Sequence, residues 1–225
     1  QDLLVQDTLN EPYWGNPCDT GGISGDELLE NSRFNSSDFF PWQTEFNAYL
    51  DAGSVFAYNA AKLYGPFASG ETRTRIWQDF PVVDGKSYAA SVKAITPSWD
   101  SIFGTSNSTS MSLQFFDFEG NLVGSADQEV ISGITGEDVV VERSIYAAAP
   151  DSAVTGRMVL AFDQPSFEVG AVWFDDASVL EVQQILQAED AMWDGPSYFE
   201  GTSGGATGTG SVSYTHLTLP TISRV

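Results

Sequence analysis

The sequence predicts an all-β protein: an antiparallel two-sheet β-sandwich of the jelly-roll kind, with irregular flanking segments. Three observations carry this. Between residues 27 and 182, apolar and polar residues alternate at a period of two, the period of a half-buried strand. The alternating runs number about eight and are separated by Gly, Pro, Asn and Asp turns. No stretch of that region has a capped 3.6-residue apolar period. Many short strands without helices bury their apolar rows by closing into two packed sheets.

Taken in order, residues 1–26 read as the end of a preceding region followed by a linker. Leu3, Leu4 and Val5 suit the close of a strand, and the run from Asn10 to Gly25 is rich in Pro and Gly. Its Tyr13 and Trp14 suit anchors against a neighbouring domain, with capping of the sandwich or ligand contact as the alternative. The sandwich opens at Glu27 with ELLENSRFNSSDFFPWQTEFNAY, which carries Phe39, Phe40, Trp42 and Phe46. In GSVFAYNAAKLYGPF (53–67), Val55, Ala57, Asn59 and Ala61 alternate with Phe56, Tyr58 and Ala60, and Gly65-Pro66 ends the run.

The clearest signal is RTRIWQDFPVVDGKSYAASVKAI (73–95), which reads as a hairpin of two strands with a tight turn at Asp84-Gly85. Ile76, Phe80 and Val82 share one face with Gln78 between them, while Arg73, Arg75 and Trp77 share the other. Tyr88, Ala90, Val92 and Ala94 alternate with Ser91 and Lys93. The hairpin would therefore expose one outer row of a Trp and three cations. Residues 97–110 form a polar loop with Trp99 and Phe103. In 111–126, Met111, Leu113 and Phe115 oppose Ser112, Gln114 and Phe116, before a Glu119-Gly120-Asn121 turn. Strands in 137–150, 156–165 and 170–182 complete the count. Trp42 and Trp173 are assigned to the core of the sandwich.

Residues 183–211 begin as a strand and dissolve into a glycine-rich run, either a linker or the truncated start of a second β module. In 212–225, VSYTHLTLPT resembles the in-frame translation of a transposon-based sequencing-library adapter, so this segment is left out of fold reasoning. The alternative is a short genuine C-terminal strand.

Composition narrows the function. The 31 acidic and 9 basic side chains give a net charge of −22, which repels phosphates and so argues against nucleic acid and anionic membranes as partners. Such a charge suits life in salty water or outside the cell, and general solubility explains it equally well. The 42 % hydrophobic content supports a packed core. No run of about eighteen apolar residues is present to span a membrane. Gln1 implies a processed or cut N-terminus. Cys18 alone makes no internal disulfide; it is an incidental thiol or one whose partner lies elsewhere. His216, the single histidine, falls in the adapter-like tail, which removes histidine triads and His-rich zinc sites.

The motifs together resemble the carbohydrate-binding modules of families 4, 9 and 22. LLENSRFNSSDFFPW is similar to their "N-G-G-F-E … W" opening, and VFAYNAAKLYG to a "G-x-x-S-L-K-V" strand. IWQDFPVVDGKSYAASVKA resembles "Q-x-V-x-V-x-P-G-K-x-Y-x-x-S-x-x-V-K". LQFFDFEGN resembles "L-x-F-x-D-x-x-G", and VWFDDASV the closing "F-Y-I-D-D-V-S-V". The resemblance covers about residues 27–182 and implies a galactose-binding-like jelly roll that binds a polysaccharide or oligosaccharide without catalysis. It also implies a secreted or cell-surface parent with neighbouring catalytic or binding modules. Over QAEDA and GATGTG the chain is similar to the start of families 6 and 35. The resemblance further implies a structural calcium near Asn35, Asp175 and Asp176. Ser32-Arg33 and Asn35 depart from the pattern, which has glycines and an acid there, and weaken that expectation.

Sugars stack their C–H faces on aromatic rings and bond their hydroxyls to planar polar side chains. Trp77 is the first candidate, with core packing as its alternative, since a one-residue slip inverts every face. Trp99 is the second. Gln114 and Lys93 suit hydroxyl contacts or merely a solvated face. Arg75 suits an acidic sugar or an ordinary salt bridge. Carboxylates are abundant, but no catalytic motif stands out among them. A structural or adhesion module without a glycan ligand is the competing reading.

Overall fold

A computed structural model describes residues 25–53 and 55–182. The expectations for Cys18, Tyr13, Trp14, His216, the second module and the adapter-like tail lie outside the described residues. Ten strands form two antiparallel sheets: β1 (Gln43–Glu45), β2 (Ala48–Ala52), β3 (Asn59–Tyr64), β4 (Thr72–Pro81), β5 (Ser87–Ile95), β6 (Ser108–Phe116), β7 (Leu122–Ser132), β8 (Val141–Ala148), β9 (Thr155–Gln164) and β10 (Ala171–Val182). The first sheet has the order β1-β4-β9-β6-β7 and the second β2-β3-β10-β5-β8. This is a jelly-roll β-sandwich, as the alternation predicts.

The inner rows build one core between the sheets. Ile76 and Phe80 of β4, Met111, Leu113 and Phe115 of β6, and Met158, Leu160 and Phe162 of β9 are buried from the first sheet. Tyr88, Ala90, Val92 and Ala94 of β5 meet them from the second, with Val172 and Phe174 of β10. Phe80 and Tyr88 face each other across the core at 6.1 Å between ring centroids. Gly156 makes room for this stack, because a Cβ there would lie 2.3 Å from the Phe80 ring.

The expected hairpin at Asp84-Gly85 is corrected. The turn exists, with Gly85 at φ +70, but β4 and β5 belong to different sheets. Strand β4 pairs with β1 and β9, and β5 with β8 and β10. The reason is general: alternation reports which side of a strand is buried and is silent on its neighbour. Trp42 lies in the main core beside Phe34, at 5.2 Å between centroids. Trp173 is buried too, but on the outer side of the second sheet, in a separate small cluster with Ala60, Ile95 and Ala171. The VWF run is apolar at consecutive positions, so its periodicity could not assign the ring to a layer.

The opening segment is tied down by polar contacts. Leu28 N–H donates to the Val179 carbonyl at 2.9 Å, and Val179 N–H donates to the Glu27 carboxylate at 2.8 Å. Phe34 inserts into the core with no exposed surface.

Candidate functional site

The outward face of the first sheet gathers most of the candidates. Strand register fixes its rows. Gln43, Trp77, Val159, Ser112 and Asp127 run side by side from β1 to β7. The neighbouring row is Glu45, Arg75, Ala161, Ser110 and Glu129. On the other side lie Asp79, Arg157, Gln114 and Ser125. The middle of the face is therefore floored by small residues: Val159, Ala161, Ser110 and Ser112. Although they point outward, Ala161 is fully covered and Ser112 nearly so, because the longer side chains around them overhang. Val159 is buried as well, so the strip of small residues is a narrow groove closed over by its own walls.

Trp77 forms one wall. It points outward, as predicted, and is half-buried. The guanidinium carbons of Arg75 and Arg157 lie 5.3 and 5.7 Å from its ring centroid, within cation–π range. Arg157 also lies 4.8 Å from the ring centroid of Phe116, which projects from β6 on the same face. Each arginine is ion-paired: Arg75 with Glu45, Arg157 with Asp79 through an Nη2 contact of 2.9 Å, and Arg73 with Asp163 at 3.5 Å. The Ser112 hydroxyl donates to Asp127. Burial holds the Asp163 carboxyl above the ordinary carboxylate range; Arg73 opposes this and Glu71 adds to it.

These contacts bear on ligand charge. Three arginines share the face with five carboxylates, Glu45, Asp79, Asp127, Glu129 and Asp163. A face already two charges negative, its cations engaged, does not favour an anionic sugar. It presents a half-buried indole with guanidinium and amide groups around it, groups that can meet an uncharged polyol. Arg75 takes the salt-bridge role weighed from the sequence.

The other candidates separate. Gln114 shares the Trp77 face, one row away and beside Arg157. Lys93 does not. It projects from β5 on the outer side of the second sheet and donates to Asp176 at 2.9 Å. The expected row of a Trp and three cations is thus split between opposite faces, because β4 and β5 lie in different sheets. Trp99 is on that second face as well, in a 3₁₀ turn at Ser98–Asp100, and it packs edge-to-face on Trp173 at 5.0 Å. Arg157, Asp79, Phe116 and the small-residue floor were missed from the sequence. The run GRMVLAFDQ is apolar on both faces, so Val159 and Ala161 carry no outward signature.

The residues implied for calcium do not converge. Strand β10 bulges between Asp175 and Ser178, and Asp176 adopts a left-handed φ of +47. Its carboxylate is held by Arg33 at 3.3 Å and Lys93 at 2.9 Å. Asp175 accepts the Asp176 N–H at 2.7 Å, and burial pushes its carboxyl up. Asn35 lines a different recess with Ala52, Tyr58 and Asn59. Among the described residues no cluster of three or more His, Cys, Asp or Glu is arranged to hold a metal. Calcium takes six to eight oxygens, and a carboxylate already carrying two cations does not fit that demand.

Two antiparallel five-stranded sheets define the class: a jelly-roll β-sandwich. No protein-family model and no curated protein sequence matches the chain. Among solved structures, the enzymatically active domain of tailspike protein 4 from bacteriophage CBA120 is 13% identical with a TM-score of 0.54. The match covers 69% of this chain and 21% of that one, so this chain spans about a fifth of its length. A family 61 carbohydrate-binding module in complex with β-1,4-galactotriose is 14% identical, with a TM-score of 0.48, covering 69% of this chain and 99% of that one. The CBM22-1 xylan-binding domain of Paenibacillus barcinonensis Xyn10C is 12% identical, with a TM-score of 0.46, covering 72% and 99%. At 13% identity the tailspike match is a likeness of fold.

Proposed function

We propose that residues 27–182 form a non-catalytic carbohydrate-binding module that holds an uncharged polysaccharide across the outward face of the first sheet. The observation that carries this reading is the outward, half-buried indole of Trp77, which shares one sheet face with Gln43, Gln114 and the Phe116 ring. Sugar rings would lie against Trp77 and Phe116, and their hydroxyls would meet Gln114, Gln43 and the arginine edges. The module would target an extracellular or cell-surface parent enzyme to its substrate. No helix among the described residues is long and apolar enough to cross a membrane. The ion pairs of Asp176 with Arg33 and Lys93 would replace a structural calcium at the bulge.

Affinity electrophoresis against neutral xylans, glucans, galactans and mannans tests this. Retardation on one polymer, weakened by Trp77→Ala with the thermal midpoint preserved, is the expected result. A structural or adhesion sandwich is the second reading, favoured by the ion pairs that already engage all three arginines of the groove. Unretarded migration on every polymer would select it.

A further inference from the structure

The outer side of the second sheet carries a separate arrangement. Register places Tyr49 of β2, Lys62 of β3 and Trp173 of β10 side by side. The Lys62 ammonium lies 4.3 Å from the Trp173 ring centroid and between 5.6 and 5.8 Å from those of Tyr64, Tyr49 and Trp99. It also donates to Asp100 at 2.6 Å, and its side chain is only 12% exposed. A lysine enclosed by four rings and neutralised by one carboxylate has its rotamer fixed before any ligand arrives.

The enclosure is closed beneath and open above. Trp173 is fully buried, whereas Trp99 and Tyr49 are 61% and 45% exposed. A recess opens beside them, lined by Lys62, Tyr64, Phe67, Asp100 and Glu168; Trp99 and Tyr49 stand outside its lining and adjoin it at the Lys62 ammonium. Phe67 is more than half exposed and has a left-handed φ of +51. Its ring meets Phe167 edge-to-face at 5.7 Å between centroids.

We infer that this recess is a second carbohydrate site, on the face opposite the Trp77 groove, taking neutral sugar units against Trp99 and Phe67. The inference rests on the reading of the chain as a glycan-binding module. Exposed rings supply stacking surfaces, and the Lys62–Asp100 pair supplies a fixed donor and acceptor for vicinal hydroxyls. Asp51 holds the Trp173 indole N–H and Glu168 also lines the recess, so carboxylates outnumber the one lysine; anionic ligands are repelled, and uncharged hexose or pentose units are the matching chemistry. Sites on opposite faces would let one module join two polysaccharide chains.

The test uses the full chain and soluble arabinoxylan, mixed-linkage glucan, galactan and galactomannan, followed by calorimetric titration with the hexaose of whichever polymer retards it. Two hexaoses should bind per chain, one per chain in Trp77→Ala and in Trp99→Ala, and none in the double variant. Since Trp99 covers Trp173, Tyr49→Ala is run beside it, and both must melt as cooperatively as the parent. One hexaose per parent chain, lost in Trp77→Ala and untouched in folded Trp99→Ala and Tyr49→Ala, overturns the second site and leaves the groove standing. Loss in Trp99→Ala with full binding in Trp77→Ala overturns the groove and upholds the second site. Silence on every polymer overturns both.

Discussion

Gln78 points inward from β4 and clasps the backbone of Glu30, accepting its N–H at 2.7 Å and donating to its carbonyl at 2.8 Å. The amide is almost completely buried between Ile76 and Phe80, so both its polar atoms are satisfied by one peptide segment 48 residues away. The side chain acts as a splice between the opening segment and the first sheet.

Replacing it with a residue of similar shape isolates that role. Gln78→Met keeps the volume and removes both bonds, so about 2 kcal/mol of stability should be lost, the order expected when buried polar partners are stranded. Urea unfolding reads the loss, and limited proteolysis should cut first between Glu27 and Phe34. An unchanged midpoint would mean that water replaces the amide.

The two indoles on the second face should behave differently. Trp173→Ala empties a fully buried position and should cost about 3–5 kcal/mol. Trp99→Ala removes a mostly exposed ring and should cost no more than about 1 kcal/mol. Equal losses would place the energetic weight of the cluster in Trp99.

Metal dependence is expected to be absent at the β10 bulge. With Arg33 and Lys93 on Asp176, neither millimolar calcium nor a chelator should move the thermal midpoint by more than about 1 °C. The double variant Arg33→Ala/Lys93→Ala leaves Asp175 and Asp176 uncompensated and should gain a calcium-dependent midpoint. A calcium shift in the parent chain would show that the ion displaces the two cations.

Asp163 sets a pH dependence opposite to the common carboxylate case. Its folded-state carboxyl titrates above the ordinary aspartate value, chiefly through burial. Between that value and its folded one the native chain holds more protons than the unfolded chain, so stability falls as pH rises through the window. Asp163→Asn should therefore raise the thermal midpoint at pH 7 and confer no gain at pH 3. A lower midpoint at pH 7 would mean that the Arg73 ion pair outweighs the burial.

The sequence made the inner rows legible because each of β4, β5 and β6 buries a single face. Ile76, Phe80, Tyr88 and Met111 follow directly from a period of two. The same period placed Trp77 outward. It could not assign neighbours, so Lys93 was grouped with Trp77 although the two strands lie in different sheets. It also failed in β9 and β10, central strands covered on both sides, where alternation fades into continuous apolar runs. That is why the groove floor and the true layer of Trp173 were invisible. Strand β1 is three residues long with polar Gln43 and Thr44 exposed, and β2 exposes Tyr49 and Ala52 while half-burying Asp51, leaving almost no pattern to read.

The sheet order has a bearing on how the chain matures. Strands β9 and β10, the last described along the sequence, occupy the middle of the first and second sheets respectively. A nascent chain that has emerged only as far as Pro150 would hold β4 and β6 with nothing between them, and likewise β3 and β5. Neither sheet can zip until residues 155–182 leave the ribosome, so the earlier strands wait with unpaired edges. Solubility during that wait falls to the surplus of acidic side chains, which keeps half-made copies apart.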